Sequence, residues 1–266
     1  ERLGENAGIA FIGCYVLGKG FIVEPDEAEA WIAADPRNAD VLFPYLNGED
    51  LNSRPDASAS RWVIDFNSRP EEQASLYSLP FARVVERVRG ERAKNNRKVY
   101  RDRWWQFAEK RPAMRKAIVD LDEVLVVTIT SKMSMPVRIK NNSVFSHMLV
   151  VISSDSHTLQ SILSSSPHQM WVITHGSTLE TRVRYTPTDV FETFPRPHLT
   201  EASERALEVI GRTLDEERRE IMLRRQLGLT ALYNKVNDPA LVDGADLDVA
   251  RLRVIHRELD EAVMAA

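Results

Sequence analysis

The feature that most constrains this chain lies near its middle: Val124-Leu125-Val126-Val127-Thr128-Ile129-Thr130, a run that is apolar or β-branched with almost no polar interruption. β-Branched side chains are stiff at χ1 and fit a pleated surface, and a run without a polar face reads as a strand covered on both sides. Such a strand needs sheet neighbours and cover on each face. Short apolar runs at 136–139, 143–145 and 148–152 are candidate neighbours, and 155–163 has helical spacing before a further apolar run, Trp171-Val172-Ile173.

The segments on either side extend this picture. Residues 10–17 and 21–23 flank Gly18-Lys19-Gly20, a hairpin signal. Pro25 opens a helix with acidic residues in its first turn, and Asp35-Pro36-Arg37-Asn38 ends it. The run 41–46 stops at Asn47-Gly48, a turn dipeptide, and a polar loop over 50–60 leads to a strand at 61–66. Residues 70–93 carry Leu76, Leu79, Val84, Val85 and Val88 at helical spacing. Pro195 and Pro197 mark a break. Beyond it Thr200 is a good N-cap for a long amphipathic helix reaching about Gly228, and a last helix spans about 246–264. The expected architecture is α/β (α+β): a mixed-sheet domain with flanking helices over 1–197, then a helical C-terminal segment over 198–266. That segment is either an appendage packed on the first domain or a spacer that contacts a partner.

Charge bears on partners. The net charge is −4, yet between Arg83 and Lys116 there are 13 Lys/Arg against four Asp/Glu, so this stretch carries +9 and the remainder −13. A concentrated basic segment in an acidic chain predicts an anionic partner more sharply than the overall charge does. No run approaches the ~20 apolar residues of a membrane span, and no basic segment followed by an apolar one opens the chain, so a cytoplasmic protein without a membrane partner is expected. The single cysteine, Cys14, sits in an apolar run and reads as a buried small hydrophobe.

Catalytic signatures are absent from the sequence. There is no phosphate-binding G-x-x-x-x-G-K-S/T loop, no G-x-S-x-G elbow and no H-E-x-x-H. The six histidines lack ligand spacing, and His157 and His168 read as exposed loop residues. Asp120-Leu121-Asp122-Glu123 reads as a solvated loop. The expectation is no catalytic residue, no metal and no cofactor within these 266 residues.

Two segments look like recognition elements instead. The first runs from Arg92 to Pro112 and interleaves Lys94, Asn95, Asn96, Arg97, Lys98, Arg101, Arg103, Lys110 and Arg111 with Trp104, Trp105 and Phe107. The cations and amides suit phosphate contacts, which supply affinity without sequence preference; core packing is the favoured role of the three aromatics. The second holds Glu180, Arg182 and Arg184 at alternating positions, so in an extended chain they point the same way. Arg can bind guanine O6 and N7, and Glu can accept from cytosine N4; the competing reading is a surface ion-pair row.

Several ordered motifs decide between these readings. Phe43-Pro44-Tyr45-Leu46-Asn47-Gly48-Glu49-Asp50-Leu51-Asn52 is followed by Asn95-Asn96-Arg97-Lys98, Trp104-Trp105 and Glu109-Lys110-Arg111-Pro112. Then come Arg184-Tyr185-Thr186-Pro187, Phe191-Glu192-Thr193-Phe194-Pro195, and Gln226-Leu227-Gly228-Leu229-Thr230 with Tyr233-Asn234 and Asp238-Pro239. In that order they resemble the target-recognition and C-terminal region of the MmeI-like restriction–modification enzymes and related bacterial adenine-specific DNA methyltransferases. The resemblance implies a double-stranded DNA partner and a methyltransferase domain in the same polypeptide. That domain would use S-adenosylmethionine and an Asn/Asp-Pro-Pro-Tyr/Phe motif that is not in this sequence, so an excised portion of a longer enzyme is expected. It also implies base-reading roles, by motif position, for Glu180, Arg182 and Arg184, for His147 and Met148, and for Ser131 and Lys132. The rival expectations are a protein-interaction module of a phage-defence complex and a complete enzyme with a site built from distant residues.

Overall fold

The β-branched run folds as β5 (Glu123–Thr128), and what surrounds it explains the missing polar face. The computed structural model describes every residue except Glu180 and Thr181 and the side chains of Thr178, Leu179 and Arg182. Strand β5 lies between β9 (Leu149–Ile152) and β7 (Val137–Lys140), and β1 (Ala10–Ile12) flanks β9, all pairs antiparallel. Val124 and Val126 pack into one apolar cluster, and Leu125, Val127 and Ile129 into a second. The two-residue period therefore delivers alternate side chains to separate cores, and neither face meets water.

A second sheet runs β2 (Ile22–Val23), β4 (Arg61–Ile64), β3 (Leu42–Leu46) and β8 (Val144–Phe145), with β3 and β8 parallel. The hairpin expected around Gly18-Lys19-Gly20 does not form, because β1 pairs with β9 and β2 with β4. The glycines serve a close approach instead: a Cβ on Gly20 would lie 2.6 Å from the Arg87 side chain and 2.7 Å from that of Val88. Asn47-Gly48 also differs from expectation, starting a short helix, α2 (Gly48–Ser53), within the predicted polar loop. Asn47 Oδ1 accepts from the backbone N–H of Glu49 at 2.7 Å and of Asp50 at 3.1 Å, and the Asp50 carboxylate accepts from Asn47 N–H at 3.4 Å. This reciprocal cap makes a six-residue helix sustainable.

Helix α1 (Pro25–Ala34) forms as predicted. The 70–93 stretch is helical but broken, into α3 (Glu71–Ala74), α4 (Ser78–Val84), a π-turn over Val85–Arg89, and α5 (Gly90–Ala93). Two short helices follow, α6 (Lys98–Asp102) and α7 (Pro112–Ile118). After β9 come α8 (His157–Ser164) and α9 (Ser166–His175), which absorbs the apolar run 171–173. In helical geometry only Val172 of the three is fully buried, whereas Ile173 is half exposed. A third, antiparallel sheet is ordered β10 (Ser177–Leu179), β11 (Arg182–Arg184), β6 (Thr130–Ser131).

The C-terminal segment has three helices where two were expected: α10 (Glu201–Arg225), α11 (Leu229–Val236) and α12 (Leu247–Ala265). Thr200 caps α10, accepting from Ser203 N–H at 3.2 Å, and Gln226 ends it in the left-handed conformation. Gly211 allows α10 to lie directly on α8, since a Cβ there would sit 2.2 Å from the His157 carbonyl oxygen. Leu207, Leu214, Ile221, Leu232, Leu252 and Leu259 join the larger apolar cluster. The whole is the expected α/β arrangement of mixed sheets, flanking helices and a helical C-terminal segment. Among the described residues no helix is long and apolar enough to cross a membrane.

His168, expected in an exposed loop, is completely buried in the first turn of α9. Its Nδ1 lies 2.7 Å from the Leu163 carbonyl and must donate, which leaves Nε2 to accept from the Tyr185 hydroxyl at 3.2 Å. Burial depresses its pKa to about 4. His256, held through Nε2 by the Tyr233 hydroxyl at 2.8 Å, is likewise depressed to about 4 by burial and by Arg218. Below about pH 6.5 the unfolded chain binds protons at these sites and the folded chain does not. Stability should therefore be full above that pH and fall as pH drops toward 4, by on the order of 3 kcal/mol for each histidine. Urea midpoints at pH 7, 5.5 and 4 check this, and a midpoint constant across the range would contradict it.

Candidate nucleic-acid interface

Three segments far apart in sequence meet at the end of β5. Past Thr128 the chain continues through Ile129 into β6, and its two sides are taken by different partners. On one side Ile129 N–H donates to the Met148 carbonyl at 2.9 Å. On the other, Tyr185 N–H donates to the Ile129 carbonyl at 2.7 Å, and Arg184 and Val183 pair with Thr130 and Ser131. Backbone bonds around Ile129 thus join the segments that hold 131–132, 147–148 and 182–184. Val183 is buried in the second core while Arg184 is exposed.

The predicted base-reading residues are placed as follows. Arg184 and Lys132 are exposed; Ser131 is half-buried, its Oγ accepting from Met133 N–H at 3.2 Å. Met148 is 42% exposed, whereas His147 is half-buried, its ring centroid 4.6 Å from that of Tyr15. Burial and then the nearby Arg111 charge lower the His147 pKa, and its Nδ1 has no hydrogen-bond partner among the described residues. The backbone of Arg182 belongs to β11, paired with Leu179. Its side chain and all of Glu180 lie outside the described residues.

The basic segment divides into two kinds of cation. Lys94, Arg97, Lys98, Arg101 and Arg103 are exposed, as is Asn96, with Asn95 half-buried. Arg101 Nη1 donates to the carbonyls of Asn95 at 2.6 Å and Asn96 at 3.1 Å, and Arg97 Nη1 donates to the Tyr100 hydroxyl at 2.9 Å. Lys98 pairs with Asp102. These bonds fix the turn while leaving most guanidinium donors toward solvent. Arg92, at the start of the segment, faces inward, clamping the Leu17, Val16 and Gln106 carbonyls at 3.0, 2.9 and 3.2 Å. Lys110 and Arg111 are half-buried: Lys110 donates to Ser68 Oγ and Gln106 Oε1, and Arg111 to the Gly13 carbonyl. Trp104, Trp105 and Phe107 are buried, as the core-packing reading expects.

The two regions are neighbours. Tyr15 exchanges backbone hydrogen bonds with Glu109 at 3.0 Å each way, and the ring of the same Tyr15 packs, tilted by 59°, against that of His147. The end of the basic segment therefore abuts the strand edge. Two further elements border it, neither visible in the spacing of the sequence. Helix α2 begins there, because a Cβ on Gly48 would sit 3.0 Å from Thr128 Cγ2 and 3.7 Å from Met148 Cβ. Helix α11 brings Thr230 and Asn234 to a narrow cleft shared with Ser131, Lys132 and Asn52. The sequence signals for these are the motif blocks 43–52, for α2, and 226–234, for α11. Among the described residues no three His, Cys, Asp or Glu side chains are placed to hold a metal ion.

No curated protein matches the chain. Among solved structures, the type IIL restriction-modification enzyme MmeI, determined in complex with DNA, aligns with a TM-score of 0.77 at 19% identity, over 97% of this chain and 32% of that one. That likeness shows the fold, and this chain spans about a third of the enzyme's length. The type IIG restriction endonuclease BpuSI aligns over 99% of this chain and 31% of that one, at 14% identity and a TM-score of 0.43, too loosely to bear on the fold. The family model for the MmeI target recognition domain matches residues 11–198. The chain belongs to the MmeI target-recognition-domain family.

Proposed function

We propose that this chain is the DNA-reading portion of a larger bacterial modification enzyme, binding duplex DNA with its basic segment on phosphates and the edge formed by 131–132, 147–148 and 182–184, with Glu180 as a further base reader, against the bases. The observation that carries the reading is the convergence of those segments, joined by the Ile129 backbone bonds, beside exposed cations. Phosphate contacts fix register and base-edge contacts specify sequence, so a protein that reads DNA needs both kinds side by side.

In the intact polypeptide the edge would present a target adenine, flipped from the duplex, to a methyltransferase domain that binds S-adenosylmethionine. The cofactor is assigned to that other domain because the family resemblance places its motifs there and the sequence of this chain lacks them. In this reading the chain itself positions DNA and neither methylates nor cleaves it, and the enzyme acts in the bacterial cytoplasm, in phage defence.

Methylation mapping of the full-length protein tests the assignment. Arg184→Ala, Arg182→Ala and Glu180→Lys should each relax or change the modified sequence at one or two positions, with activity retained, because one bidentate base contact discriminates by about 1–3 kcal/mol. An unchanged modified sequence in all three variants would refute base reading by this edge.

A further inference from the structure

A cavity of about 470 Å³ opens well away from that edge, between the second sheet, β7 and the C-terminal half of α10. It is lined at the Glu123 end of β5, roughly 17 Å along the strand from Thr128 at ~3.3 Å per residue. Its apolar walls include Pro44, Leu46, Trp62, Ile139 and Met222. Its volume lies within the range of small-molecule sites, and its wall carries four cations, Arg138, Lys140, Arg218 and Arg219, against the three carboxylates of Asp56, Glu123 and Asp215.

The charges are unusual. Arg138, on β7, is 7% exposed, and among the described residues it makes one hydrogen bond, a long one, 3.4 Å from Nη1 to Glu123 Oε2. Its Nε and Nη2 are buried and have no partner among the described residues. Arg218, 2% exposed on α10, donates through Nη2 to the Pro136 carbonyl at 3.0 Å and to Asp215 at 3.4 Å, and its Nη1 is also unpartnered. Asp215 is already engaged, accepting from Gln160 at 3.0 Å and from Arg219 at 3.2 Å. Burial pushes the Asp215 carboxyl up, but Arg218, Gln160, Arg219 and the nearby Arg138 charge outweigh it and hold it below the usual range. The acid is thus satisfied while Arg138 is not. A buried guanidinium with two empty donors is costly, and the cost is removed when an anion supplies the missing acceptors.

We propose that this cavity binds a small organic anion, a carboxylate or phosphate monoester carried on a ring-sized apolar body. The anionic oxygens accept from Arg138 Nε and Nη2 once the guanidinium turns its buried edge toward the cavity, a side-on pair of donors that matches two oxygens of one group. The ring rests among Trp62 and the aliphatic walls. The site is independent of DNA reading.

Calorimetric titration of the full-length protein with phenyl phosphate, with benzoate, and with benzyl alcohol as the uncharged control tests the proposal. At least one anion should bind about tenfold or more tightly than the alcohol, and the better of the two names the headgroup. Arg138→Met should lower that affinity by about tenfold or more while duplex binding is unchanged. If Arg138→Met does not fold by circular dichroism, Ala59→Phe, which narrows the cavity without altering an arginine, should have the same effect. The proposal is overturned if neither anion outbinds benzyl alcohol, or if the folded variants bind as the wild type does. Occupation of the cavity by another part of the full-length protein would appear as the first of these results.

Discussion

Raising salt from about 50 to 200 mM should weaken duplex binding by roughly 500-fold, the largest single effect expected of this protein. Each phosphate neutralised adds about 0.9 to the slope of log affinity against log salt. Lys94, Arg97, Lys98, Arg101 and Arg103 are the exposed cations of the segment, so five contacts give a slope of about −4.5 and that loss over a fourfold change. Lys110 and Arg111 are left out because their donors already serve Ser68, Gln106 and the Gly13 carbonyl. Replacing Lys94 and Arg103 together by Gln should reduce the slope by about 2 and weaken all duplexes alike, in contrast to substitutions at Arg184. Fluorescence anisotropy over a salt series, with two unrelated duplexes, measures both. A slope shallower than about −2 would remove the phosphate role from this segment and favour a protein-interaction surface.

Arg115→Met should cost about 3–5 kcal/mol of folding stability, because it leaves a buried carboxylate without its partner. Asp65, 1% exposed, follows β4, and its Oδ2 accepts from Arg115 Nη2 at 2.6 Å. Arg115 also donates through Nε to the Lys110 carbonyl at 2.8 Å, and its Nη2 lies 3.4 Å from Cys14 Sγ. One side chain of α7 therefore joins β4, the end of the basic segment and the chain after β1. Asp65→Asn alongside Arg115→Met should recover part of the loss, since the amide carries no charge to desolvate. Urea midpoints of the two single variants and the double variant give the coupling. Equal losses in Arg115→Met and in the double variant would mean that the ion pair itself contributes little. Cys14 belongs to the same packing; burial raises its thiol pKa, in keeping with a small core residue and not a nucleophile.

How much was legible differed between levels. The run 124–130 announced its strand because β-branching and full burial both leave a local trace, and Pro25 and Thr200 announced helices because capping is local chemistry. The hairpin signal around Gly18 fails for the opposite reason. Two strands separated by a glycine turn look alike whether they pair with each other or with β9 and β4, and only long-range contacts choose. His168 looked exposed because nothing near it in sequence reveals that Leu163 and Tyr185 will satisfy both ring nitrogens. Helix α11 leaves little local trace because it is eight residues long and draws its stability from packing; a Cβ on Gly228, at its start, would lie 2.4 Å from the Ser53 backbone.

For the candidate site the division is similar. The sequence by itself determined the residue types: cations and amides over 94–111, an alternating Glu180-Arg182-Arg184 set, and the ordered motifs that carry the family resemblance. The tertiary structure alone decided which of them share a surface. It turned Arg92 inward, half-buried Lys110 and Arg111, and through one carbonyl and one N–H of Ile129 brought 131, 148 and 184 to a common edge. It also placed Arg138 beside a cavity with two donors unmet. Side-chain chemistry is written residue by residue, but adjacency between residues fifty apart is set by which backbone groups find partners as the core closes, and local sequence carries no record of that choice.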